Sequence, residues 1–179
     1  MVGVSACVGS RTQESFENEV HARGGGLSQQ LVLDGIVAVA EHQHTNPVHL
    51  RSITVQPARV AFEAQVPGTT SDLDAYTFGT SGMYGGGGLS GPEPVHTNST
   101  DPPLEGTTFT AHAAGIEHFD TTVDQALDEA KLPGGWASSA SISRPVGGGD
   151  PRTTVTVTNR RRTVTVTFDA DGSVLGATP

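Results

Sequence analysis

Cysteine occurs once in 179 residues, at Cys7. A single cysteine forms no internal disulfide and rules out a zinc site built from cysteines alone. Charge is scarce as well, at 16% of residues, and positive charge is the scarcer sign. Ten Lys and Arg stand against 19 Asp and Glu, for a formal net charge of −9. An acidic chain repels polyphosphate, so no nucleic acid is expected as a partner. An anionic membrane surface is disfavoured in the same way unless a lipid holds the chain there. Aromatic residues make up 5%, and no apolar run approaches the roughly 20 residues of a membrane span. What is present is Gly (23) and Pro (11), with polarity carried by Thr, Ser, Asn and Gln rather than by ions. The length suits one domain or two small ones, at about 100–150 residues per domain.

The single cysteine closes the run Val4-Ser5-Ala6-Cys7, an aliphatic residue and two small ones before Cys. This run resembles a bacterial lipobox, where small side chains are needed next to the cut. The resemblance implies lipidation of Cys7, with Val8-Gly9-Ser10-Arg11-Thr12-Gln13 as a polar tether. Six residues precede Cys7 and none is basic, whereas a signal needs a basic start and about 7–15 apolar residues. Residues 1–12 therefore read as a truncated signal and tether. Nothing near Cys7 would depress its pKa, so a catalytic thiol is not expected there.

Beyond the tether the chain reads as two segments with one order of elements. In the first, Phe16 and Val20 mark a short helix over Ser15–Val20. A second helix is expected from Ser28, as N-cap, to His42, with Leu33, Ile36, Val37 and Ala40 as its apolar stripe. Three strands follow: Leu50–Val55, then Val60, Phe62, Ala64 and Val66 at a period of two, then Leu73–Phe78. In the second segment Phe119, Val123, Ala126, Leu127 and Ala130 form one helix face. Thr121-Thr122-Val123-Asp124 reads as a loose capping-box start, and Pro133-Gly134-Gly135 as the stop. Trp136–Ser143 is strand-like, and Thr153–Thr158 and Thr163–Phe168 alternate Thr with Val around Asn159-Arg160-Arg161-Arg162, a strong hairpin signal. Phe78 and Gly82 precede Phe168 and Gly172 by 90 positions (168 − 78, 172 − 82), and Ile53 precedes Ile142 by 89 (142 − 53).

The expected fold class is α+β: two tandem repeats of helix followed by a three- to four-stranded antiparallel sheet. The boundaries read 13–84 for the first repeat, 85–106 for a Gly/Pro-rich connector and 107–179 for the second. The connector, with Gly85-Gly86-Gly87-Gly88, Gly-Pro-Glu-Pro and Asp101-Pro102-Pro103, has neither helix nor central-strand character. It reads as a linker or as an extended strap across the sheet. Each half is small for a core of its own, so the sheets should share one core or be continuous. A lipobox-like start ahead of repeated helix-then-sheet units resembles uncharacterised lipoproteins of high-GC Gram-positive bacteria. The plan is also similar to PepSY-type modules and to the tandem-repeat β-lactamase-inhibitor protein. That resemblance is one of architecture and implies a fold and an extracytoplasmic location; no functional motif matches residue by residue.

Several constellations invite chemistry. His42, His44 and His49 fall within eight positions, but a zinc site needs three or four ligands converging on one point. His42 and His44, two apart, diverge by roughly 200° on a helix, and read as a solvated helix end; His112 and His118 read as surface residues. Gly79-Thr80-Ser81-Gly82-Met83 fails the nucleophile-elbow pattern at Met83. Gly85–Gly88 lacks the Lys-Ser/Thr of a phosphate cradle, and Asp169-Ala170-Asp171-Gly172 lacks the downstream Glu of a calcium loop, which leaves a tight turn. Asn98-Ser99-Thr100 is a glycosylation sequon only in a eukaryotic secretory context. Asp124 and Asp128 share a helix face and need no function. Arg160-Arg161-Arg162, the one basic run, would project from a hairpin loop and suit contact with an acidic partner.

The expectation is therefore a non-catalytic extracytoplasmic lipoprotein module, without cofactor or metal. It would be anchored by lipid at Cys7 to the outer face of a membrane, and it would present a sheet to a protein or cell-envelope ligand. A carrier of a small apolar ligand, held between helices and sheet, is the alternative. A metal-dependent hydrolase using His42, His44 and His49 is a more distant one.

Overall fold

The computed structural model of the chain describes residues 26–79, 87–96 and 104–179. The lipobox-like run at Cys7, the helix expected over Ser15–Val20, Ser81 and the Asn98 sequon lie outside the described residues. The fold class is α+β. Helix α1 (Gln29–Gln43) leads into strands β1 (Leu50–Gln56), β2 (Arg59–Gln65), β3 (Leu73–Gly79) and β4 (Gly88–Val95). A 3₁₀ turn, Ile116–His118, then opens helix α2 (Phe119–Ala130). It is followed by β5 (Trp136–Ser143), β6 (Arg152–Thr158), β7 (Thr163–Phe168) and β8 (Val174–Thr178). All eight strands join one antiparallel sheet in the order β4-β3-β2-β1-β5-β6-β7-β8. The sheet is thus continuous through the β1–β5 junction.

Period-two alternation sends one side of each strand to the helices. On that side lie Ile53 and Val55, Val60 and Phe62, Ala140 and Ile142, Val155 and Val157, and Val166 and Phe168, all at most 2% exposed. Val32 and Val39 of α1 and Phe119, Val123 and Ala126 of α2 close the layer from above. Each large buried side chain contributes roughly 1.5–3 kcal/mol. Ser28 caps α1, its Oγ accepting from the Leu31 N–H at 3.1 Å.

Several expectations need correction. Of the stripe Leu33, Ile36, Val37 and Ala40, three pack part-buried against the core, but Val37 is 55% exposed and the fully buried positions of α1 are Leu31, Val32, Gly35 and Val39. The cause is Gly35. A Cβ there would sit 2.6 Å from Phe62 Cε2, so the missing side chain is what lets the helix backbone meet the ring. Helix α2 begins at Phe119 after His118, with no side-chain cap, rather than at a Thr121 capping box. Thr122 points inward and its hydroxyl donates to the His118 carbonyl at 3.0 Å.

Gly88–Val95, read from sequence as part of a connector, is a strand. It is the edge strand beyond β3, where Pro92 and Pro94 cost no central ladder bond. The opposite edge, β8, has no counterpart in the sequence reading. Ile53 and Ile142, noted for their spacing, lie opposite each other across β1 and β5. Leu73, which its register with Gln65 and Val95 assigns to the side away from the helices, is also buried, at 2% exposed.

Candidate functional site

Strands β6 and β7 alternate Thr with Val, and the pairing aligns like with like. Val155 faces Val166 and Val157 faces Val164 on the helix side. On the other side Thr154 faces Thr167, Thr156 faces Thr165 and Thr158 faces Thr163. The pattern extends outward. Ser141 and Ser139 of β5 pair with Thr154 and Thr156, and Thr178 of β8 pairs with Thr165. It reaches the sheet centre through Thr54 opposite Ser141 and Ser52 opposite Ser143. The result is a grid of hydroxyls, about 4.8 Å apart across strands and about 6.7 Å along them. One cross-strand pair is close enough to bond, Thr158 Oγ1 to Thr163 Oγ1 at 3.1 Å. Trp136, opposite Thr158, stands on the same side at the corner of the grid and is half-buried.

Charge is distributed unequally around this grid. Arg152, opposite Ser143, is the sole charged residue within β5–β8. At the other end of β6 the turn carries Arg160, Arg161 and Arg162, all exposed. Asn159 shapes that turn: its Oδ1 accepts from the N–H groups of Arg161 and Arg162, each at 2.9 Å, and its own N–H donates to the Arg162 carbonyl at 2.9 Å. Among the described residues no carboxylate pairs with the three guanidinium groups. The acidic side chains Asp120, Asp124, Asp128 and Glu129 belong to α2, on the other side of the sheet.

A cleft of about 530 Å³ opens at the Ser143 end. Arg51, Ser52 and Glu63 form one wall, and Glu105–Thr107 and Ser143–Gly148 form the rest. Ser52 donates to Glu63 Oε2 at 3.0 Å, and Arg51 Nε lies 3.8 Å from the same oxygen. Arg144 is committed to the backbone, donating to the carbonyls of Thr108 and Gly149. It ties the β5–β6 loop to the chain ahead of α2 and leaves Val146 fully in solvent.

Comparisons with protein-family models, with curated proteins and with solved structures find no match to this chain. Its chemistry therefore has to be read from the side chains themselves.

The histidines do not assemble. His42 is exposed and meets the Tyr76 ring edge-on at 5.6 Å between centroids. His44 is the left-handed residue that ends α1, its N–H directed at the carbonyls of Ala40 and Glu41. His49 is exposed before β1, and His112 Nδ1 lies 3.3 Å from Glu117 Oε1. Among the described residues no three His, Cys, Asp or Glu side chains gather as a metal would require. Burial raises the Tyr76 phenol above its ordinary value; the hydrogen bond with Gln43 opposes this, and nearby Asp74 adds to it.

Sequence reasoning located Arg160–Arg162 in a hairpin turn, where they are found. It missed that the β5 serines continue the threonine grid, although Ser139, Ser141 and Ser143 carry the alternation. The cleft had no sequence signal, because its walls come from four separate segments.

Proposed function

We propose that this chain is a non-catalytic binding module outside the cytoplasm, held at a membrane's outer face by lipid on Cys7. It presents the side of β5–β8 turned away from the helices to a protein or cell-envelope ligand. The observation that carries this reading is the one-sidedness of β5–β8: helix and core on one side, a hydroxyl grid with arginines at both ends on the other. The grid is uncharged at its centre, cationic at the Arg160–Arg162 turn and mixed at the other end, where Arg152 has Asp150 just before β6 and Asp169 and Asp171 just after β7. The anchor rests on Val4-Ser5-Ala6-Cys7 alone.

The same reading takes the chain to be a duplicated helix-and-sheet unit. Helices α1 and α2 end on left-handed residues, His44 (φ 52°, ψ 38°) and Lys131 (φ 50°, ψ 37°). Bulges interrupt β1 between Leu50 and Ser52, and β5 between Ala137 and Ser139. These features are all 87 positions apart (131 − 44, 137 − 50, 139 − 52). Thr54 and Ser141 have the same separation (141 − 54) and face each other. Each would then meet its own counterpart, as a two-fold relation between halves requires. On this count Ile53 corresponds to Ala140, and Ile142 is its neighbour rather than its equivalent. Phe78 and Phe168 remain counterparts, one opposite Val60 and the other opposite Thr153.

Labelling with radioactive palmitate in a bacterial host that expresses the chain behind a full signal tests the anchor. Labelling and membrane fractionation should vanish with Cys7→Ser; unchanged labelling would remove the lipoprotein reading. A second reading, a carrier of a small apolar ligand, is favoured by one feature: a groove of about 440 Å³ beside α1, with Ile36, Val37, Ala40 and Val48 in its walls. Native mass spectrometry after mild extraction would reveal a co-purified adduct.

A further inference from the structure

We infer that β8 pairs edge to edge with β8 of a second copy, antiparallel about a two-fold axis through the middle of the strand at Gly176. The pairing is independent of what the ligand face binds. It joins two eight-stranded sheets into one continuous sheet.

The two edges of the sheet are built differently. β4 is blunted: Pro92 and Pro94 offer no N–H, and Gly91 takes φ 108°. Helix α1 also packs on β4, as it does on β2 and β3. β8 has no proline and no charge, and all five of its residues are exposed. Helix α2 packs chiefly on β5, β6 and β7, so the layer of helices ends before β8. Val174 and Leu175 stand 42% and 51% exposed. Among the described residues no strand pairs with the outer side of β8. Its one protection is a bulge at Leu175. Such an edge, with backbone N–H and C=O groups unpaired, is a template for another strand.

Charge selects a second copy as the occupant and sets its direction. The β7–β8 turn carries Asp169 and Asp171, and Asp150 lies at the same end of the sheet, against Arg152. The start of α2 adds Asp120 there, with Gly172 close to His118 and Thr122. The opposite end carries Arg160, Arg161 and Arg162, with Lys131 following Asp128 and Glu129 of α2. Antiparallel pairing sets the acidic turn of each copy at the arginine turn of the other. β7 of one copy and β8 of the other are then about 10 Å apart, a span that Arg and Asp side chains narrow. Parallel pairing would set like charges together. The three guanidinium groups have no carboxylate partner among the described residues, so they are available for this contact. Centred on Gly176, the pairing also sets Leu175 of each copy opposite Ala177 of the other. The contact is isologous and closes at two copies, and the blunted β4 edge adds no third.

The test is sedimentation velocity of the full chain as Cys7→Ser, which excludes an intermolecular disulfide, over a wide concentration range at low and high salt. The inference predicts a monomer–dimer equilibrium that weakens with added salt. Leu175→Lys puts a charge on the edge and should raise the dissociation constant about tenfold or more. Arg161→Asp and Asp171→Arg should each weaken the dimer, and the two combined in one chain should recover part of the loss. Glu93→Lys on β4 should leave it unchanged. Circular dichroism of each variant separates lost pairing from lost folding. A monomer at every concentration, or a dimer indifferent to Leu175→Lys, overturns the inference. A dimer that falls with Leu175→Lys but ignores salt and the exchanged charges overturns it as well, because the antiparallel arrangement requires both.

Discussion

Gly35 of α1 lies against the ring of Phe62 at the middle of β2, so close that a Cβ would come within 2.6 Å of Cε2 and 2.7 Å of Cζ. Phe62 is 1% exposed and enclosed in the core. Gly35→Ala should therefore destabilise, although Ala is the better helix former by about 1 kcal/mol. Overpacking of this kind costs about 1–3 kcal/mol, readable as a lower urea midpoint. Gly35→Ala/Phe62→Leu should recover part of the loss, which an effect confined to the helix backbone would not.

The same contact bears on ligand carriage. With Val32, Val39, Val60 and Phe62 all at or near zero exposure, the space between α1 and the sheet is filled by side chains. An apolar ligand would have to occupy the groove on the outer side of α1. Val37→Asp should then abolish any co-purified adduct and leave the thermal midpoint within a few degrees of the parent, since exposed substitutions cost about 0.5 kcal/mol or less.

Tyr76 gives a pH dependence. Its phenol is buried against α1, and burial raises its pKa above the ordinary 10.0. In the unfolded chain the group loses its proton first, so the folded state holds the proton more tightly. The contribution to stability is complete below pH 10 and is lost as pH rises through and beyond the ordinary value. Urea unfolding measured from pH 8 to 11 should show a decline in the parent chain that is shallower in Tyr76→Phe.

Arg160, Arg161 and Arg162 should matter to binding and not to folding. Replacing all three by Ala removes no ion pair found among the described residues, so the unfolding midpoint should barely move. Asn159→Ala should do the reverse. It removes the carboxamide oxygen that accepts two backbone N–H groups and should cost about 1–2 kcal/mol. Dimerisation of the triple variant should weaken, and that of the parent should weaken with added salt.

Strands with one buried side were the most legible part of the sequence. Trp136–Ser143 and Thr163–Phe168 agree with β5 and β7 to the residue, because period two leaves little choice of register. Helix α1 was legible in extent and only in part in orientation. Leu31, Val32, Leu33, Ile36, Val37 and Val39 surround it with apolar side chains, and the face is decided by Gly35, which has none. β4 was hidden by its prolines, which an edge strand tolerates, and β8 by its brevity and Gly176. The hydroxyl grid was half legible. Thr/Val alternation announced β6 and β7, but which residue faces which depends on how the hairpins close. That alignment, with Thr154, Thr156 and Thr158 opposite Thr167, Thr165 and Thr163, is a property of the folded sheet.

The most direct measurement is a methyl-resolved NMR titration of threonine- and valine-labelled, Cys7→Ser protein with a solubilised cell-envelope extract. The account predicts shift changes confined to Thr154, Thr156, Thr165 and Thr167, with Val37 and Val39 unmoved. Shifts centred on Val37 and the outer groove of α1, with the four threonines silent, would contradict it.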